Sequence, residues 1–160
     1  MYETDYAVTL RTAASAGAVW DELRTLERLF ENMSTVSSYE VDADGHGATF
    51  LGALTRWPAA WRSLPGRAEV VASEPPGRVV WSVTIPDIDL HFVGTFELAP
   101  VAAEETNLTY SGVLCCGHRL SGRLGRVLEG VLEAYMDDLV TRIASRAARR
   151  AAAEQALADA

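Results

Sequence analysis

Residues 78–98 read RVVWSVTIPDIDLHFVGTFEL. Before the Pro86-Asp87 break, Val79, Trp81, Val83 and Ile85 fall at every second position; after it, Leu90, Phe92, Phe96 and Leu98 do the same. Side chains two residues apart share one face of a strand, so this stretch is two strands, each with one apolar face, separated by a turn. The pattern repeats outward in both directions. Upstream lie GRAEVVASE (66–74) before the turn Pro75-Pro76-Gly77, then ATFLGALTRW (48–57), the turn Asp44-Gly45-His46-Gly47, and SSYEV (37–41). Downstream, a polar link at 103–106 leads into TNLTYSGVLCC (106–116), where Leu108, Tyr110 and Leu114 continue the inward set. TDYAVTLRT (4–12) alternates as well. Seven strands follow in hairpin-like succession with no crossover helix long enough for a parallel sheet, so an antiparallel sheet is expected.

Helical spacing appears in two places. After the first strand, Ser15 is placed to cap a short helix carrying Val19, Trp20 and Leu23, with Asp21 and Glu22 near its start, and Thr25 to cap a second through Leu26, Leu29, Phe30 and Met33. From about Ser121 onward, Leu124, Leu128, Leu132, Tyr135, Leu139 and Ile143 recur at helical spacing, widened by Val131, Met136 and Val140. Thirty such residues span about 45 Å, the length of a domain. Gly122, Gly125 and Gly130 fall in the first half of this helix, where each costs about 1 kcal/mol against alanine. Residues 147–160 (AARRAAAEQALADA) lack the apolar stripe and read as a solvated helical tail.

These pieces predict an α+β fold: a seven-stranded curved antiparallel sheet gripping a long C-terminal helix, with two short helices after the first strand. The domain is expected over residues 1–146 and the tail over 147–160. One helix cannot fill a concave sheet, so an apolar hollow is expected between them. Its expected ligand-binding residues are Trp57, Trp61, Trp81, Val83, Phe92, Phe96, Tyr110, Leu124, Leu128 and Tyr135. Such a lining suits a hydrophobic small molecule; the competing reading is that these side chains simply fill the core.

The order of elements resembles the helix-grip SRPBCC superfamily of START, pollen-allergen and polyketide-cyclase proteins. Five motifs carry the likeness, closest to its carbon-monoxide-dehydrogenase G-like branch. They are Val19-Trp20; Pro65-Gly66-Arg67-Ala68-Glu69-Val70 with Glu74-Pro75-Pro76; Gly94-Thr95-Phe96-Glu97-Leu98; Thr106-Asn107-Leu108-Thr109-Tyr110; and Gly122-Arg123-Leu124-Gly125-Arg126-Val127-Leu128. The resemblance covers about residues 4–146 and implies a binder or carrier of lipids, quinones, or polyketide or isoprenoid intermediates. It also implies two alternatives: a cofactor-independent cyclase, aromatase or isomerase, and an accessory protein docking to an oxidoreductase or a membrane surface. The tryptophan-rich link 56–63 and the arginine-rich tail depart from the pattern of that branch.

Composition removes other classes. One hundred and sixty residues make one domain, and folding hides roughly 70% of the surface of such a chain. A net charge of −8 opposes nucleic-acid binding, which needs basic surface to displace phosphate counterions. All fourteen basic residues are arginine, so Schiff-base, pyridoxal-phosphate and Walker-lysine chemistry are excluded. The adjacent Cys115 and Cys116 point to opposite faces of a strand and read as reduced thiols. With His118 they lack a second histidine or carboxylate at ligand spacing, so no metal is expected, and no cofactor. The opening MYETDYAVTL carries acids where a secretory signal needs positive charge, and no apolar run approaches a membrane span; a cytoplasmic location is expected.

Asp87, Asp89 and His91 form the nearest approach to an acid/base cluster, but they oppose Leu90 and Phe92 in parity and are expected to face solvent. The remaining catalytic candidates are the hydroxyls of Tyr110 and Tyr135. Trp57 and Trp61, flanked by Arg56 and Arg62, read as a lid, a membrane contact or a packed sheet edge. Arg142, Arg146, Arg149 and Arg150 are expected to complement the dipole at the helix C-terminus.

Overall fold

A computed structural model describes residues 2–53, 63–117 and 123–160. The order is β1 (Tyr2–Thr12), α1 (Ala16–Leu23), α2 (Leu26–Glu31), β2 (Val36–Val41), β3 (Gly47–Gly52), β4 (Leu64–Glu74), β5 (Arg78–Ile85), β6 (Leu90–Ala102), β7 (Glu105–Cys116) and α3 (Arg123–Ala158). A 3-10 turn, Pro86–Ile88, joins β5 to β6, and Asp89 ends it in the left-handed region at φ 49°.

The strands form one curved antiparallel sheet ordered β1-β7-β6-β5-β4-β3-β2. Six strands make a meander, and β1 closes it by pairing with β7, Thr9 opposite Thr109. Register shifts at Val36/Ser38, Val70/Ala72 and Pro100/Ala102 mark bulges, which bend the strands that carry them. The face toward the helices holds Phe50, Ala68, Trp81, Leu90, Phe92, Phe96, Leu108, Tyr110 and Leu114, all buried. Alternation had set this face, and β7 keeps it over its whole length.

Both short helices begin as their caps require: Ser15 Oγ accepts from Ala18 N–H at 3.2 Å, and Thr25 Oγ1 from Arg28 N–H at 3.3 Å. α2 stops at Glu31, short of Met33. Asp21 and Glu22 lie in the last turn of α1, not near its start. Glu22 is fully buried and faces α3, where Arg150 Nη2 reaches its Oε1 at 2.6 Å and Arg146 Nε stands 3.8 Å from its Oε2. Asn32 Nδ2 donates to the same carboxylate at 3.3 Å. Arg146 and Arg150 therefore neutralise a buried acid well before the helix ends at Ala158, which corrects the expectation that they serve its terminal dipole. Arg142 pairs with Asp138 at 2.8 Å, and Arg149 is exposed.

α3 runs unbroken through residue 146. Leu139, Val140, Ile143 and Ala147 are buried against the sheet and α1, whereas every residue from Ala152 on is exposed. Among the described residues, no helix is long and apolar enough to cross a membrane.

Candidate functional site

Ahead of Leu139 the contact between helix and sheet loosens. Val131, Leu132, Tyr135 and Met136 are only partly buried, and an apolar hollow of about 90 Å³ lies beneath them. Its floor is Trp81, Val83 and Ile85 of β5, Leu90 and Phe92 of β6, and Leu114 of β7. Phe30 and Met33 close it from the α2 side, with Phe50 and Leu64 from β3 and β4, and Leu132, Tyr135 and Met136 form the roof. No carboxylate, imidazole, thiol or cation is among the described lining residues. The volume is below the roughly 300–1,000 Å³ of sites that enclose a drug-sized molecule. Met33 and Met136, unbranched and easily rearranged, are the lining side chains best able to yield.

The deep end of the hollow is sealed by aromatic packing over glycine. Tyr6, Gly112, Gly94 and Trp81 form one row across β1, β7, β6 and β5. A Cβ on Gly94 would stand 2.4 Å from the Tyr110 hydroxyl and 2.6 Å from Trp81 Nε1, and one on Gly112 would stand 2.5 Å from the Phe92 ring. The two bare positions let the rings sink onto the backbone, with Phe96 and Tyr110 centroids 4.4 Å apart. Burial holds the Tyr110 hydroxyl protonated well above the usual tyrosine range. The nearby Trp81 N–H, a hydrogen-bond donor, opposes that rise. Between β1 and α3, Tyr6 donates to Asp137; its own desolvation first, then that bond, raises its pKa.

Four of the expected binding residues, Trp81, Val83, Phe92 and Tyr135, therefore share one hollow. Phe96 and Tyr110 belong to the solid core behind it, because parity chooses a face but not a depth. Trp57 and Trp61, and the side chains of Leu124 and Leu128, lie outside the described residues. Asp89 and His91 are exposed away from the hollow, with His91 Nδ1 3.2 Å from Thr84 Oγ1, and Asp87 is exposed as well. Phe30, Met33 and Phe50 were missed. Their apolar spacing was visible, but their arrival at one place depends on how α2 folds over β3.

Cys116 is buried, and that burial, before its neighbours Cys115 and Asp89, pushes its thiol up to about 11. Among the described residues no group of three His, Cys, Asp or Glu side chains could hold a metal. A larger depression of about 470 Å³ lies on the outer face between β4 and β5. It is an open surface groove, and its Arg67 is already bound to Asp42 at 2.6 Å and Glu69 at 2.8 Å, so the smaller inner hollow is the better candidate.

A family model described as polyketide cyclase / dehydrase and lipid transport matches residues 3–148. It is the broader family and does not single out the carbon-monoxide-dehydrogenase branch. Among curated proteins, no sequence matches significantly. A conserved protein from Geobacillus kaustophilus superposes with a TM-score of 0.74 at 19% identity, over 91% of this chain and 96% of its own. The di-domain ARO/CYC StfQ of the steffimycin biosynthetic pathway gives 0.74 at 15% identity, over 94% of this chain and 52% of that one. The Zhui aromatase/cyclase of Streptomyces sp. R1128 gives 0.65 at 15% identity, over 94% of both. At such identities these likenesses establish a shared fold.

Proposed function

The chain belongs to the polyketide cyclase / dehydrase and lipid transport family, and from that membership we propose that it binds and carries a hydrophobic small molecule between α3 and the sheet. The observation that supports this most is the hollow itself: apolar walls from both layers, placed where the buried half of α3 gives way to the partly buried half. Burying apolar ligand surface there contributes about 25 cal/mol per Å². Ligands larger than the hollow are accommodated by displacing Met33 and Met136 and lifting the Leu132 side of the helix. Carriage is favoured over cyclase chemistry, because the described lining has no general base, and the buried Tyr110 hydroxyl stays protonated at neutral pH.

The test uses prodan, a naphthalene ketone whose emission shifts to the blue in apolar surroundings. Titrated into the full chain, it should give a saturable blue shift. Leu132→Trp, which fills the hollow from its roof, should weaken binding at least tenfold with the fold intact by circular dichroism. Unchanged affinity in that variant would place the binding elsewhere and overturn the reading. Native mass spectrometry of freshly purified protein is the companion measurement for an endogenous passenger.

A further inference from the structure

We propose that the ligand carries a neutral hydrogen-bond-accepting oxygen, a ketone or quinone-type carbonyl on an apolar skeleton, and that Tyr135 selects for it. This rests on the hollow being the binding site. Buried polar groups elsewhere in the fold are paired: Thr12 Oγ1 donates to the Ala144 carbonyl at 2.9 Å, Thr106 Oγ1 to the Ala14 carbonyl at 2.8 Å, and Asn32 Nδ2 to the Arg28 carbonyl at 2.9 Å. Apart from the Glu22 oxygen that Arg150 meets, and from Trp81 Nε1 and the Tyr110 hydroxyl, which lie side by side over Gly94, the buried side-chain atom among the described residues without a hydrogen-bond partner is the Tyr135 hydroxyl. Interiors rarely leave such groups unmet, and each one found alone calls for an explanation.

Trp81 and Tyr135 stand on opposite walls of the same hollow, one on the sheet and one on the helix. Apart from the Thr35 hydroxyl, the other described side chains lining it are apolar, so a bound molecule is the natural partner of the Tyr135 hydroxyl. The donor chemistry then restricts that molecule. A buried tyrosine hydroxyl has a proton to donate, and an acceptor oxygen on the ligand satisfies it. An ammonium would offer no lone pair. A carboxylate would bring a charge into a lining with no described cation, at a desolvation cost nothing there offsets. Trp81 Nε1 is tucked against Gly94 beside the Tyr110 hydroxyl, which leaves Tyr135, on the roof, as the lining residue with a buried and unpartnered hydroxyl.

The probes are 1-tetralone and tetralin, one bicyclic skeleton with and without the carbonyl, titrated calorimetrically into the full chain. The wild type should bind the ketone about tenfold more tightly, the difference one well-made hydrogen bond supports. Tyr135→Phe should reduce that preference to within about twofold while leaving tetralin affinity equal or better. Its thermal melt should show an intact fold. Equal affinities in the wild type, or a ketone preference that survives Tyr135→Phe, overturns the proposal and leaves the hollow standing as a binding site. If neither probe binds at all, the carrier reading falls, and this inference with it.

Discussion

Gly94 is bare because its neighbours already occupy the space a side chain would need. The Tyr110 hydroxyl, Trp81 Nε1 and Phe92 Cε1 all lie within 2.8 Å of where its Cβ would be. These are rigid aromatic groups, and Trp81 and Tyr110 are fully buried, so none can swing aside without disturbing the core. Gly94→Ala should destabilise by about 1–3 kcal/mol, the range for overpacking a tight core, read as a lower urea midpoint with unchanged slope. A change within experimental error would show that the rings are looser than their packing implies. What the sequence offered at this scale was parity. It placed Trp81, Phe92, Phe96 and Tyr110 on the inward face, and His91 and Asp89 away from it. It could not say that Phe96 and Tyr110 lie behind the hollow while Trp81 and Phe92 line it, since that depends on glycines of adjacent strands meeting as neighbours. Glu22 illustrates the opposite failure. It reads as an acid near the start of a short helix, and its arginine partners lie more than a hundred residues away.

At the scale of elements, the Glu22 cluster fixes one half of α3 and leaves the other half to cover the hollow. Arg146 and Arg150 bind the carboxylate from α3, and Arg146 also reaches Glu31 at 3.4 Å, so α1, α2 and α3 are tied at one level. Both arginines remain about a third exposed (33% and 31%) and keep part of their hydration when the acid is lost. Glu22→Gln should therefore cost about 2–3 kcal/mol, below the full penalty of breaking a buried pair. A double-mutant cycle with Arg150→Ala, followed by urea unfolding, should give a coupling energy of at least about 0.5 kcal/mol. Additive effects would mean that the pair contributes no specific interaction. The helix itself was legible from its apolar stripe, and the caps Ser15 and Thr25 from their types and positions. The unequal grip along α3 was not, because Leu132 and Leu139 look alike in a sequence and differ only in what the curved sheet presents beneath them.

At the scale of the molecule, the architecture followed from a long run of strands with a single covering helix, which admits few arrangements. Ligand identity did not follow, since it depends on a volume of tens of cubic ångströms and on which buried donors lack partners. The sheet order carries a last consequence for the newborn polypeptide. β1 leaves the ribosome before β7, its hydrogen-bonding partner, with Thr9 facing Thr109. At synthesis rates of about 5–20 residues per second, the opening segment waits roughly 5–20 s for its mate. In the folded protein Tyr6, Val8 and Leu10 pack against the core, while Glu3, Asp5 and Arg11 occupy the alternate positions of β1. Charges at alternate positions of an unpaired strand disfavour edge-to-edge pairing with another copy.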